Sequence, residues 1–226
     1  MITGVTRLVG LLRDPLADSL SPRMQNAAFA AVGLDWAYVP LGVRPEDLQD
    51  AVRGLVALGF AGANVTTPHK LAAARLVETD LQSVNTLVVR DGRVLGFSTD
   101  AALAIELQPE RPAIVGAGGA ATAWLEVLPD ARQFSRQGTW PPEVEDADVV
   151  VNATSERDEI VVGVGPGQTL VDLPYPATAT ARAAAEAGAR VVDGLEVLVA
   201  QGAASFEHWT GVPAPVDVMR AAVRSA

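Results

Sequence analysis

Apolar and polar positions along this chain shift repeatedly between a strand period and a helix period. Arg7 to Leu12 is a short apolar run, Ser21 to Val32 has apolar spacing compatible with a helix, and Trp36 to Leu41 reads as a strand. Pro45, followed by Glu46 and Asp47, predicts the acidic first turn of a helix that runs to Leu58 and ends at Gly59, with a strand from Gly62 to Thr66 after it. A short helix over Leu71 to Val77 comes next. Two strands, Thr86 to Arg90 and Val94 to Phe97, then flank Asp91-Gly92, a dipeptide that favours a hairpin turn. Glu106 to Pro112 contains two prolines and little periodicity, which places a domain junction there.

The alternation resumes beyond the junction. Ala113 to Val115 reads as a buried strand running into Gly116-Ala117-Gly118-Gly119-Ala120-Ala121 and a helix to Leu128. Strands follow at Arg132 to Ser135, Val149 to Asn152, Thr169 to Leu173 and Arg190 to Val192, with an alanine-rich helix over Thr180 to Ala187. Strands alternating with helices imply a parallel sheet. Leu195 to Trp209 and Val216 to Ala226 are helical in pattern. The expected fold is α/β in two domains: residues 1–103 as a first α/β unit, 104–193 as a reduced Rossmann-like unit, and 194–226 as C-terminal helices returning to the first.

Composition narrows what such a fold can do. Of 226 residues 49% are hydrophobic, enough to fill two modest cores and to exclude intrinsic disorder. No apolar stretch approaches the roughly 20 residues a membrane helix needs, and the N-terminal segment lacks the apolar core of a signal peptide, so the expectation is a soluble cytoplasmic protein with no membrane contact. With no cysteine and two isolated histidines, thiolate catalysis is excluded and no metal site is expected. The net charge of −10, with no basic stripe, argues against a nucleic-acid partner. Sixteen arginines stand beside a single lysine, Lys70. Taken alone, Lys70 reads as a surface lysine, a reading that weakens in a chain with no other.

Three segments concentrate chemistry. The turn Gly116 to Ala121 fits the dinucleotide fingerprint G-x-G-x-x-A where physics requires it, after a strand and opening a helix. The next strand ends Phe134-Ser135-Arg136, with no carboxylate for ribose hydroxyls, which favours NADP over NAD. The segment Gly62 to Lys70 puts Asn64, Thr66 and Lys70 at a strand's carboxyl edge, and lysine offers a compact ammonium able to give up a proton. His69 beside it reads as a packing or loop residue. In Asp18-Ser19-Leu20-Ser21-Pro22, two hydroxyls before a helix form a cap that could equally hold an anion. Asp100 by itself reads as another cap, and Gln201 as a polar helix-surface residue.

Together with Val84-Asn85-Thr86, Ser98-Thr99-Asp100, Asn152-Ala153-Thr154 and Asp193-Gly194-Leu195 through Gln201, these segments resemble the shikimate dehydrogenase family over nearly the whole chain. The resemblance implies NADPH-dependent reduction of 3-dehydroshikimate to shikimate in chorismate synthesis. It implies Lys70 and Asp100 as the catalytic pair. Ser19 and Ser21 match serines that hold the substrate carboxylate, Tyr175 a tyrosine near it, and Thr66, Asn85, Asp100 and Gln201 residues that bind the ring. Gly116, Ala117, Gly118, Gly119 and Ala120 match the pyrophosphate loop, Ser135 and Arg136 the 2′-phosphate end, and Leu173 and Gly194 positions near the nicotinamide. A cleft between the two domains is the expected site, in a monomer or homodimer.

Departures from the family pattern are local. The stretch between Lys70 and Asn85 is abbreviated, and Gly138, Pro141 and Pro142 leave little room for the helix the family has after Arg136. Gln137 stands where threonine is usual, Ser135 where asparagine is frequent, and Ser98 where asparagine precedes Thr-Asp. The alternative these departures keep open is a shikimate- or quinate-binding relative with altered cofactor use or weakened NADP binding.

Overall fold

A computed structural model describes residues 2–16 and 19–225. In chain order they form β1 (Arg7–Arg13), α1 (Ser21–Ala31), β2 (Trp36–Gly42), a 3-10 turn (Pro45–Asp47), α2 (Leu48–Ala57), β3 (Gly62–Val65), α3 (Lys70–Ala74), β4 (Thr86–Arg90) and β5 (Arg93–Phe97). Then come α4 (Ala104–Leu107), β6 (Pro112–Val115), α5 (Gly119–Val127), β7 (Arg132–Phe134), β8 (Val149–Asn152), β9 (Thr169–Asp172), α6 (Ala179–Glu186), β10 (Arg190–Val192), α7 (Gly194–Thr210) and α8 (Val216–Arg224). Two compact units result: Met1–Thr99 with Val199–Ala226, and Asp100–Leu198.

The first unit is built on a five-stranded sheet in the order β2-β1-β3-β4-β5, with β1, β2 and β3 parallel and β4 antiparallel to both of its neighbours. The β4–β5 hairpin turns on Asp91 and Gly92, both at positive φ as the dipeptide requires. Leu48, Val52 and Leu55, at i, i+4 and i+7 of α2, are buried with Leu12, Ala63, Val65 and Leu87. The C-terminal helices supply another part of the core: Phe206 stacks on Phe29 of α1 at 5.3 Å, α8 packs against α1, and the Trp209 indole donates to the Leu87 carbonyl at 2.9 Å. Met219 and Val223, one turn apart on α8, are its buried residues.

The second unit holds an all-parallel sheet in the order β10-β9-β8-β6-β7. Strands buried on both faces read as continuous apolar runs, as Ala113 to Val115 and Val149 to Val151 do. Alternate residues serve opposite faces. Ile114, Val151 and Val171 pack with Ala104, Trp124 and Val197, whereas Ala113, Val115, Val150 and Leu170 pack with Ala181 and Ala184 of α6.

The structure departs from the sequence reading in three places. The units divide at Thr99 and at Leu198, where the reading set divisions at 103 and 193. Ala101 and Ala104 belong to the second unit's core, and α7 starts in that core at Val197 before continuing into the first unit. The supposed junction at Glu106 begins inside α4, a one-turn helix too short to show a period. Leu20, with no side-chain hydrogen bond, occupies the N-cap of α1, and Ser21 is the helix's first residue. Asp18 and the final residue of the expected last helix, Ala226, lie outside the described residues.

Candidate functional site

Strand direction gathers the first unit's polar residues. Since β1 and β3 are parallel and β5 runs with them, the chain leaves all three at the same sheet edge where it enters β4. Ser19 and Ser21 follow β1, Thr66 and Lys70 follow β3, Asn85 precedes β4, and Thr99 follows β5. Ser19 Oγ accepts the Ser21 N–H at 3.3 Å, fixing the spacing of the two hydroxyls.

A buried polar network underlies that edge. Asn64 accepts from the Tyr38 hydroxyl at 2.8 Å and donates to the Asn85 carbonyl at 3.0 Å and to Ser205 Oγ at 3.1 Å. Asn85 donates to Thr99 Oγ1 at 2.9 Å and to Gln201 Oε1 at 3.4 Å, while its Oδ1 accepts the Thr99 N–H at 2.8 Å. Thr86 Oγ1 and Ser205 Oγ are 2.8 Å apart, and Ser205 donates to the Gln201 carbonyl at 2.9 Å. Satisfied networks of this kind hold one arrangement, because any slip leaves a desolvated group unpaired. Here the network locks β3, β4, the Thr99 turn and α7 in one register, so Asn85 and Gln201 meet.

Lys70 opens α3, and its carbonyl accepts the Val84 N–H at 3.3 Å, which sets the start of that helix beside the residue before Asn85. The His69 imidazole is buried, with Nε2 2.8 Å from the Val43 carbonyl, so it anchors the turn that presents Lys70. Asp100 follows Thr99 directly, in a turn at the start of the second unit, and the N-cap position of the next helix, α4, falls to Leu103. Thr66 takes part through its backbone, donating to the Leu12 carbonyl at 3.1 Å and accepting from His69 at 2.8 Å.

In the second unit, the sequential order of strands along the sheet is 5-4-3-1-2, and the order reverses between β6 and β8, the position where open α/β sheets place their ligand crevice. Gly116 leaves β6 there with φ +138°, and a Cβ on it would come within 2.8 Å of the Ala153 carbonyl oxygen. Gln133 donates to the Gly116 carbonyl at 2.9 Å. Gly118 is the extended N-cap of α5, with open space where a Cβ would stand, no capping side chain and no acidic residue in the first turn. That loop and helix start fit a pyrophosphate, which needs close backbone approach and an unscreened positive helix end. Ala117, Gly119 and Ala120 complete the loop.

Beside it lies a cavity of about 230 Å³ lined by Gly116, Ser135, Arg136, Trp140, Thr154 and Ser155, with Glu156 and Val161. Arg136 is exposed and pairs with Glu159 at 3.3 Å. Glu156 accepts the N–H groups of Asp158, Glu159 and Arg157, which hold its carboxyl below the ordinary value with help from Arg136. At the end of β9, Leu173 and Pro174 crowd Gly194: a Cβ on Gly194 would lie 2.2 Å from the Pro174 carbonyl. Half-buried Tyr175 follows on the same loop, in the second unit, whereas Ser19 and Ser21 belong to the first.

Several residues escaped the sequence reading. Tyr38 and Ser205 in the first network and Trp140, Ser155 and Glu156 around the cavity come from separated segments that only strand topology brings together. Asp172, fully buried at the end of β9, is another. Its Oδ1 accepts from Asn152 Nδ2 at 2.7 Å, and its Oδ2 meets no donor in hydrogen-bond geometry. Burial raises its carboxyl above the ordinary range, outweighing the opposing influence of Asn152 and Thr178.

The chain is similar to known proteins along its whole length. Residues 11–87 match the model of the shikimate dehydrogenase substrate binding domain, and residues 194–224 match that of the shikimate 5'-dehydrogenase C-terminal domain. Shikimate dehydrogenase (NADP(+)) of Anaeromyxobacter sp. strain Fw109-5 is 41% identical, over 99% of this chain and 98% of its own length. That alignment spans 272 positions against 226 residues here, so this chain is shorter internally. The crystal structure of shikimate dehydrogenase from Aquifex aeolicus superposes with a TM-score of 0.87 at 30% identity, covering 99% of this chain and 100% of the other. Shikimate 5-dehydrogenase from Thermus thermophilus, in complex with NADP(H) and shikimate, gives 0.85 at 27% identity, covering 97% and 99%. With likeness in sequence and in fold running from end to end, this chain belongs to the shikimate dehydrogenase family.

Proposed function

We propose that this chain is an NADP-dependent shikimate dehydrogenase that interconverts shikimate and 3-dehydroshikimate. The observation that carries this reading is the single sheet edge at which Ser19, Ser21, Thr66, Lys70 and Asn85 converge, with Gln201 hydrogen-bonded to Asn85. The serine hydroxyls take the substrate carboxylate as neutral donors, with Tyr175 assigned near it, which suits a chain of net charge −10. Thr66, Asn85 and Gln201 orient the ring hydroxyls. The Lys70 ammonium gives its proton to the ketone oxygen as the alcohol forms and recovers it in the reverse direction. Asp100 orients the substrate and balances the lysine charge. When bound, the nicotinamide supplies or accepts the hydride.

For the cofactor, Gly116 to Ala120 hold the pyrophosphate, Ser135 and Arg136 the 2′-phosphate end, and Leu173 and Gly194 border the nicotinamide. A second reading, a shikimate binder with weakened NADP binding, is favoured by one feature: no helix lies in residues 135–148 between β7 and β8. Among the described residues no helix is long and apolar enough to cross a membrane. We place the chain in the cytoplasm, as a monomer or homodimer, without a nucleic-acid partner.

The test is the specificity constant of the purified chain for shikimate and quinate, each with NADP+ and NAD+. Shikimate with NADP+ is expected to give the highest value. Heat of shikimate binding with no reduction of either nucleotide establishes the second reading instead.

A further inference from the structure

We propose that Trp140 is a positioning residue for Arg136 and, through it, sets the preference of this chain for an adenosine ligand carrying a 2′-phosphate. The assignment rests on the NADP reading above and adds a residue to it.

Arg136 sits on a tight turn directly after β7. The Gly138 N–H donates to the Ser135 carbonyl at 3.0 Å, and the Ser135 N–H to the Thr139 carbonyl at 3.0 Å, so the chain doubles back. That reversal brings Trp140 over the arginine, with the guanidinium carbon 5.7 Å from the indole centroid. Both side chains line the cavity at the end of β6 and β8. Trp140 is 39% exposed, a large apolar ring at the rim of a polar pocket rather than in either buried cluster of the unit.

The pairing meets a need this chain has created. With residues 135–148 free of helix, no regular element stands behind Arg136, whose side chain is 65% exposed. A long exposed arginine samples many rotamers, and ordering it opposes ligand binding. Attraction of the guanidinium to the indole ring restricts that freedom without using up the N–H groups an anion would need. The carboxylates facing the same group are Glu159, paired with Arg136 at 3.3 Å, and Glu156, occupied by three backbone N–H groups. An incoming phosphate replaces the exposed Glu159 on the N–H edge, and Trp140 keeps that edge turned toward the cavity during the exchange. Ser135, Thr154 and Ser155 line the same space.

Calorimetry on the full chain, with adenosine 2′,5′-bisphosphate and ADP as probes, separates this role from a structural one. Trp140→Ala is expected to weaken bisphosphate binding by about two- to fivefold, the range for an exposed cation–π contact, and to change ADP binding far less. Trp140→Phe restores most of the preference. Arg136→Ala abolishes it, and adding Trp140→Ala to that variant costs nothing more. A preference unchanged in Trp140→Ala, or an equal loss for both probes, overturns the assignment alone. A wild-type chain with no preference for the bisphosphate overturns the NADP reading and the assignment with it.

Discussion

Two buried polar side chains, Asn64 on β3 of the first unit and Asp172 on β9 of the second, behave in opposite ways. Asn64 has every polar atom partnered, so it fixes register without a charge to desolvate. Asp172 retains one oxygen that meets no donor in hydrogen-bond geometry, and burial raises its carboxyl. The folded state therefore holds the proton more tightly than the unfolded chain. Its contribution to stability is present below the unfolded value of 3.8 and is lost as pH rises through the higher folded value. Asp172→Asn removes that loss, so denaturant unfolding should show the variant gaining on the wild type as pH rises from about 4 toward neutrality. Parallel curves for the two proteins would contradict the assignment. His208 acts in the reverse sense: burial against Phe97 lowers its pKa, so it favours the fold above 6.5 and costs stability as pH falls below it.

At the scale of elements, β3 leads to the proposed substrate edge and tolerates no added bulk. A Cβ at Gly62 would lie 2.1 Å from the Leu87 carbonyl and 2.6 Å from the Trp209 indole nitrogen, which donates to that same carbonyl. Gly62→Ala should cost about 2–4 kcal/mol in urea unfolding, because backbone on one side and a packed indole on the other leave no inexpensive shift. A loss below about 0.5 kcal/mol, the ordinary surface range, would show that β3 and α7 are not packed this closely. Asp148 offers a second test. Burial alone would raise its carboxyl, but the N–H groups of Glu110, Arg111 and Val149 together hold it below the ordinary value, tying the starts of β6 and β8. Asp148→Ala should destabilise the second unit by about 1–3 kcal/mol in the same measurement.

The strands and the long helices were legible because each buries a face with its own period, as Leu48, Val52 and Leu55 do on α2. Residues 135–148 and 153–168 were not, because Val144, Val161, Val162 and Val164 enter the core from irregular backbone with no period. Glycine chemistry made the loop at Gly116 readable, since positive φ and close approach both demand it. Trp140 carried no comparable signal: its meaning depends on a turn that folds it over Arg136.

Across the whole molecule, the chain matches its relatives from end to end while omitting internal segments, and the cofactor-side unit runs from β7 to β9 without an intervening helix. An acidic protein that binds anionic ligands must do so by short-range donors, and both candidate sites are built that way, from hydroxyls, backbone N–H groups and a few fixed cations. One of those cations is the single lysine in a chain that otherwise uses arginine, placed at the start of α3, where the proposed reaction asks for a proton donor. The decisive measurement is shikimate-dependent formation of NADPH by the wild type and by Lys70→Ala, with shikimate binding to each followed by calorimetry. Turnover is expected in the wild type and a fall in kcat of about 10²–10⁴-fold in the variant, with shikimate still bound. Equal turnover in the two proteins would contradict the role proposed for Lys70.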